Sequence, residues 1–295
     1  MIPDALRRNV TGAWGERGER WLHDLPRLLL DVCREWDLEP GPPYELSYHW
    51  VCPVTRPGGS PAVLKLGLPG AVHLRREAAV LSAWDGAGAV RLLAHSDLLG
   101  ALLMERATPG TLCRDLVPVD DEAATAALLD VGRRLHRPVP ADLDVPDIAG
   151  YAGDLDAYLA TWPDAGPLPR ALVTAAAGTL TELLADAPDP VLLHGDLHHD
   201  NVLRSDREPW LAIDPHGVAG EPVAEVGPML YNPDPDLHVQ SLAATVSRRV
   251  EQTAAALGTS VERVTAWGFV LAVVSEIWTV EDGGPARTRA FDVAR

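Results

Sequence analysis

Apolar residues recur with helical spacing over residues 14–37, where Trp21, Leu22, Leu25, Leu28, Leu29, Val32 and Trp36 line one face. The face reads either as one helix or as two helices meeting near Pro26, since proline cannot supply the N–H that an unbroken helix needs. Gly41, Pro42 and Pro43 end the run. From 44 to 66 the pattern becomes strand-like, interrupted by the turn RPGGS at 56–60. In the strand AVLKL, Val63 and Lys65 share one face and Ala62, Leu64 and Leu66 the other. Residues 73–84 return to helical spacing, with Leu74, Glu77, Ala78 and Leu81 on one side, so a carboxylate stands in an apolar stripe. The strands VRLLAH (90–95) and ALLMERA (101–107) follow.

Beyond residue 107 helices dominate. Asp120 is the expected N-cap of a helix with the core stripe Ala124, Ala127, Leu128, Val131 and Leu135, and Pro138 closes it. A Pro/Asp/Gly-rich connector over 138–169 is expected to contain one helix, and residues 170–185 form another. Three short β-like runs, VLLH, NVLR and WLAID, come next. The last helices are expected near 237–257 and 260–280, parted by Gly258 and Thr259. Ala266 to Trp278 is interrupted by Glu276 and reads as a core helix rather than a membrane span.

Composition narrows the class. The 295 residues are 47% hydrophobic, enough to bury the cores of two lobes. Lys and Arg number 25 against 42 Asp and Glu, a net charge of −17. Such a chain repels nucleic-acid phosphates and anionic membranes and attracts cations, so a small cationic partner is expected, with no nucleic acid and no membrane. Cys33, Cys52 and Cys113 are scattered and form no Cys-x-x-Cys pair, which points to reduced thiols in the cytoplasm.

The stretch LLHGDLHHDNVLRSDREPWLAIDPHG, residues 192–217, carries the chemistry. Asp196, Asn201 and Asp214 are three oxygen-bearing groups on loops bounded by short strands. Phosphoryl transfer needs a carboxylate to hold the attacking hydroxyl, and an amide and a second carboxylate to hold Mg²⁺ against the triphosphate. Upstream, Glu77 on its apolar face needs a partner, and Lys65 is the economical one, placing an ammonium ready for the α- and β-phosphates.

HGDLHHDN followed by IDPHG resembles the catalytic and metal loops of the aminoglycoside phosphotransferase family, a branch of the protein-kinase-like fold. The segment GVAGEPVAEVGPMLYNP is most similar to streptomycin kinases and hydroxyurea phosphotransferases. The resemblance implies a bilobal α+β fold: a small antiparallel-sheet nucleotide-binding lobe at 1–106 with a hinge at its end, and a larger, mainly helical catalytic and substrate lobe at 107–295. It implies ATP or GTP as co-substrate, Mg²⁺ as cofactor, and a monomer or dimer. By the same resemblance Asp196 is the catalytic aspartate, His194 braces its loop, and Asn201 and Asp214 hold the metal. Lys65 and Glu77 serve the phosphates, the backbone around Met104, Glu105 and Arg106 meets the base, and Glu225 steadies the catalytic lobe. The chain departs from the family pattern in lacking Gly-x-Gly-x-x-Gly before Lys65, where ELSYHWV (45–51) is the candidate cover, and in carrying His199, Asp200 and His216.

A cationic acceptor needs carboxylates. The candidates are Asp154, Asp156, Asp234, Asp236 and Glu276, with Glu281 and Asp282 beside them. Trp267 and Trp278 are either pocket floor or core. Two other classes compete: a metal hydrolase using His194, His198 and His199, and a kinase-like fold kept only for binding. Among active kinases, hydroxyurea, choline-like alcohols, fructosamines and macrolides are the alternative acceptors.

Overall fold

The computed structural model describes residues 2–233 and 240–295, arranged as two compact units, 1–108 and 109–295. In the first unit, helix α1 (Asp4–Glu35) precedes strands β1 (Glu39–Pro40), β2 (Trp50–Thr55) and β3 (Pro61–Leu66). Helix α2 (Val72–Trp84) and strands β4 (Leu92–Ser96) and β5 (Ala101–Glu105) complete it. The sheet is antiparallel, ordered β1-β2-β3-β5-β4.

Strand alternation decides which face meets which helix. Trp50, Cys52, Val54, Ala62, Leu64, Leu66 and Leu103 form one core with Leu6, Val10, Trp21, Leu22, Leu25 and Val32 of α1. Lys65 has the opposite parity, paired across β3 with Val51 on β2 and Leu102 on β5, and so faces away from α1. Of the two readings, the continuous helix holds through Pro26, and the break in α1 is instead at Gly15 (φ 51°). Left-handed φ is cheap only for glycine, and the turn brings Gly18 so close that a Cβ there would sit 2.5 Å from the carbonyl oxygen of Val10.

The second unit starts at Pro109, the first residue of β6 (Pro109–Leu112). Helix α3 (Val117–Leu135), strand β7 (Arg137–Pro138) and helices α4 (Tyr151–Thr161) and α5 (Arg170–Ala185) follow. Strands β8 (Val191–Leu193), β9 (Val202–Ser205), β10 (Trp210–Ala212) and β11 (Val218–Gly220) come next, then α6 (Val226–Tyr231), α7 (Leu242–Leu257), α8 (Val261–Glu281) and α9 (Arg289–Val293). The strands make two three-stranded antiparallel sheets, β10-β9-β6 and β11-β8-β7. Asp120 breaks the helical backbone of α3 (φ −157°, ψ 83°), and its Oδ1 accepts the N–H of Ala123 at 2.9 Å, the geometry of an N-cap. Ser241 and Ser260 cap α7 and α8 in the same way.

α8 is long and apolar enough to cross a membrane by length and composition alone, but 56% of its most apolar window is buried within the protein. Trp267 and Ile277 are fully enclosed, and the Trp267 Nε1–H donates to the buried Glu221 at 2.9 Å. Trp267 is therefore a core residue.

Candidate active site

The second unit gathers its polar residues on two loops, one between β8 and β9 and one between β10 and β11. Gly195, with φ 82°, lets the chain turn out of β8 immediately before Asp196; a Cβ there would approach Val218 to 2.9 Å. The loops are tied at several points. His194 is enclosed, and its Nε2 lies 2.9 Å from the carbonyl oxygen of Ile213, the residue before Asp214. The His194 carbonyl accepts the N–H groups of His216 and Gly217, each at 2.9 Å. The Ile213 N–H donates to the Asn201 carbonyl at 2.9 Å.

Burial pushes the His194 pKa down and keeps the ring neutral. Nε2–H then donates to Ile213, and Nδ1 is free to accept the Asp196 N–H at 3.3 Å, so one tautomer satisfies both contacts. Glu225 fixes the same loop from below: its two carboxylate oxygens accept the backbone N–H groups of His194 (2.7 Å) and Gly195 (2.9 Å). Burial alone would raise the Glu225 carboxyl, but nearby His136 and the hydrogen bonds outweigh it and hold the group ionised below its usual range.

The Asn201 side-chain N–H₂ donates to the Asp196 carbonyl (2.9 Å) and to Asp196 Oδ2 (3.2 Å). With its nitrogen committed, Oδ1 is the atom left to meet a cation. Asp214 is exposed and held in the left-handed region at φ 59°, where the turn through Pro215 and His216 begins.

His198 bridges two carboxylates. Its Nε2 stands 3.5 Å from Asp196 Oδ2 and its Nδ1 3.4 Å from Asp200 Oδ2, while Arg114 pairs with Asp200 at 2.8 Å. Burial opposes charge on the ring, but hydrogen bonds and attraction from both aspartates prevail and carry its pKa up to about 9. Burial would likewise raise Asp196, and the neighbouring His198 charge outweighs it and lowers the carboxyl, so Asp196 is ionised at neutral pH. A group held above its unfolded pKa adds stability that is complete below about 6.5 and disappears as pH rises through the folded value. The stability contributed by His198 is therefore expected to fall between about pH 6.5 and about pH 9. An NMR titration should place the His198 midpoint near 9, and His198→Asn should flatten the decline in stability over that window.

Asp196 opens onto a cavity of about 480 Å³ lined also by His198, His216, Tyr231, Asn232, Ser275, Trp278, Thr288, Arg289 and Ala290. Of the expected acceptor carboxylates, Asp156 is exposed on α4, and Asp154 accepts the Nε1–H of the cavity-lining Trp278 at 3.1 Å. Glu276 contradicts its expected role. It is only 1% exposed, and its carboxylate accepts the N–H groups of Arg287 and Thr288, each at 2.8 Å, together with the Thr288 hydroxyl. Its acceptor capacity goes to the backbone after α8, which takes it away from direct contact with a cation. Asp234 and Asp236 lie outside the described residues. His198, Arg114 and Arg289 escaped the sequence reading as parts of this site. The order Asp-Leu-His-His-Asp at 196–200, a histidine between two carboxylates, was the available signal for the first.

In the first unit Lys65 and Glu77 meet as expected, Nζ to Oε2 at 2.7 Å, with side chains 4% and 3% exposed. Met104 and Glu105 end β5, and Arg106 follows on the surface. The Glu105 N–H donates to the Arg91 carbonyl at 2.8 Å, which removes that amide from the expected base contact.

A family model for aminoglycoside/hydroxyurea antibiotic resistance kinases matches residues 38–283. The chain is 34% identical over 293 residues to streptomycin 6-kinase of Streptomyces glaucescens, covering 97% of this chain and 92% of that one. It is 35% identical over 276 residues to hydroxyurea phosphotransferase of Kitasatospora aureofaciens, covering 91% and 77%. A crystal structure of a thermostable mutant of aminoglycoside phosphotransferase APH(4)-Ia in ternary complex with ADP and hygromycin B superposes with a TM-score of 0.61 at 17% identity, covering 90% of this chain and 93% of that one, and shares its protein-kinase-like α+β fold.

Proposed function

The chain belongs to the aminoglycoside/hydroxyurea antibiotic resistance kinase family, and from that membership we propose that it moves the γ-phosphoryl group of ATP, or GTP, to a hydroxyl of a streptomycin-like aminoglycoside. The observation that carries this reading is the tie between the two loops: the Asn201 amide on Asp196, and the His194 ring on the carbonyl before Asp214. An ionised aspartate, an amide oxygen and an exposed second carboxylate then come from two loops tied to each other.

In this reading Asp196 receives the hydrogen bond of the acceptor hydroxyl and orients it for in-line attack on the γ-phosphorus. In a loose transition state the proton leaves late, so an ionised aspartate of ordinary basicity suffices. The oxygens of Asn201 and Asp214 suit a hard divalent ion, and these residues would hold Mg²⁺. When bound, that ion neutralises charge on the phosphate oxygens. Lys65, fixed by Glu77, is assigned to the α- and β-phosphates, and the backbone at Met104 and Arg106 to the base. A triphosphate co-substrate and three buried free thiols suit the cytoplasm. Of the three rings the hydrolase alternative needs, His194 is engaged with Ile213 and His198 with Asp196 and Asp200, and among the described residues no three His, Cys, Asp or Glu side chains are grouped to hold a metal.

Asp214→Ala is expected to weaken Mg²⁺-dependent nucleotide binding by roughly tenfold or more, while binding measured without Mg²⁺ stays unchanged. Calorimetric titration with a non-hydrolysable triphosphate, with and without the ion, checks this. Equal affinities for the variant and the parent in Mg²⁺ would remove Asp214 from the metal site.

A further inference from the structure

We propose that His198 is a positioning residue for Asp196: it engages Oδ2 and, anchored in turn by Asp200 and Arg114, leaves Oδ1 as the oxygen that takes the acceptor hydroxyl. The inference rests on the kinase reading above and deepens the acceptor side of that site.

A carboxylate has two oxygens, and a hydroxyl held for in-line attack needs one of them in a fixed direction. Both contacts that the fold makes to the Asp196 carboxylate fall on Oδ2: the Asn201 side-chain N–H₂ at 3.2 Å and His198 Nε2 at 3.5 Å. Asn201 Nδ2 and His198 Nε2 stand 3.2 Å apart, because both converge on that one oxygen. Oδ1 is thereby the oxygen left for the acceptor.

Nε2 serves Oδ2 only with a hydrogen on it, and only while the ring keeps its orientation. Asp200 secures both. Its backbone nitrogen lies 3.3 Å from His198 Nδ1, and its Oδ2 lies 3.4 Å from the same atom. A neutral ring accepts the backbone N–H at Nδ1 and carries its hydrogen on Nε2. A charged ring donates from Nδ1 to the carboxylate and still carries a hydrogen on Nε2. In either state Nε2–H is available to Asp196.

Arg114 closes the arm from a distant part of the chain. It follows β6, whose pairing with β9 (Leu112 with Leu203) brings it to the loop between β8 and β9, and its Nη1–H donates to Asp200 Oδ1 at 2.8 Å. Asp200 thus gives one oxygen to Arg114 and the other to His198. Side-chain exposure falls along the arm, from 41% at Arg114 through 30% at Asp200 to 15% at His198, so each outer link is worth less than the inner one. His198 lines the cavity with Asp196, whereas Asp200 and Arg114 stand behind it and act through the ring.

The test is steady-state kinetics with streptomycin and ATP or GTP on the parent chain, His198→Ala, His198→Gln, Asp200→Ala, Arg114→Ala, and Asp196→Ala with and without His198→Ala. In His198→Ala kcat should fall roughly 10–100-fold with the nucleotide KM unchanged. Gln, whose side-chain N–H₂ takes the place of Nε2–H, should recover part of the loss. Asp200→Ala and Arg114→Ala should lower kcat by roughly two- to fivefold, the scale of a half-exposed ion pair. In the Asp196→Ala background His198→Ala should change the residual rate by less than about twofold, because its effect runs through a carboxylate that is gone. Should His198→Ala fail to fold, His198→Gln and Asp200→Ala carry the same comparisons. Parent-like kcat in the His198 variants, a nucleotide KM that rises with them, or a full further loss on top of Asp196→Ala would overturn the inference while leaving the kinase reading standing. A parent chain without activity would overturn the kinase reading, and this inference with it.

Discussion

Asp196→Ala is expected to lower kcat by roughly 10²–10⁴-fold, or about 3–5.5 kcal/mol of transition-state stabilisation, with nucleotide affinity nearly unchanged. The magnitude follows from what the side chain does. Its position is fixed on all sides: Glu225 holds the backbone before it, Asn201 bonds its carbonyl and Oδ2, and His198 faces its carboxylate. Orienting a hydroxyl for attack has value only when the reacting atoms are held, and alanine keeps the loop while removing the holder. Because Asp196 is assigned to the acceptor rather than to the metal, nucleotide binding should survive. Stopped-time product assays beside calorimetric nucleotide titrations separate the two effects. A parallel loss of nucleotide affinity would move Asp196 into the metal set and leave the acceptor without a base.

Glu77→Ala should cost about 3–5 kcal/mol of stability, a large share of the roughly 5–15 kcal/mol that a domain possesses. The 2.7 Å pair sits beneath the sheet with almost no solvent contact, so truncating one partner strands the other charge. The double variant Lys65→Met with Glu77→Leu removes both charges at similar volume. Its stability should return to within about 2 kcal/mol of the parent, since a buried ion pair seldom outperforms a well-packed apolar pair. Its activity should not return, because the ammonium assigned to the phosphates is gone. Denaturant melts and turnover on the same three proteins read this directly. Recovery of activity together with stability would show that the pair is only structural.

The elements that the sequence made legible are those whose signal is local. α5 is rich in helix-forming residues, and its bounds were read from that composition, while Asp120 announces its cap through a side chain that competes with the backbone. Lys65 and Glu77 were legible because a charge in an apolar stripe demands a partner. β6 and β11 were not legible: PGTL and VAG hold proline, glycine and alanine where VLLH, NVLR and WLAID hold runs of larger apolar residues, and they pair with strands distant in sequence. Gly15 was overlooked in favour of Pro26 because a proline is a louder signal than a glycine, although only the glycine adopts positive φ. Glu276 was misjudged for a physical reason. Acidic residues usually face water or ligand, and only the fold reveals that its oxygens are consumed by the backbone of 287–291. His198 gains its charge from two aspartates folded around it, a consequence of loop geometry rather than of residue type.

Mass spectrometry of streptomycin after incubation with the enzyme, Mg²⁺ and ATP or GTP tests the central claim most directly. The expected product carries one added phosphoryl group, forms with the parent chain and forms at least about a hundredfold more slowly with Asp196→Ala. Streptomycin recovered unmodified while another antibiotic class gains the phosphoryl group, or equal product from the Asp196 variant, would contradict the assignment.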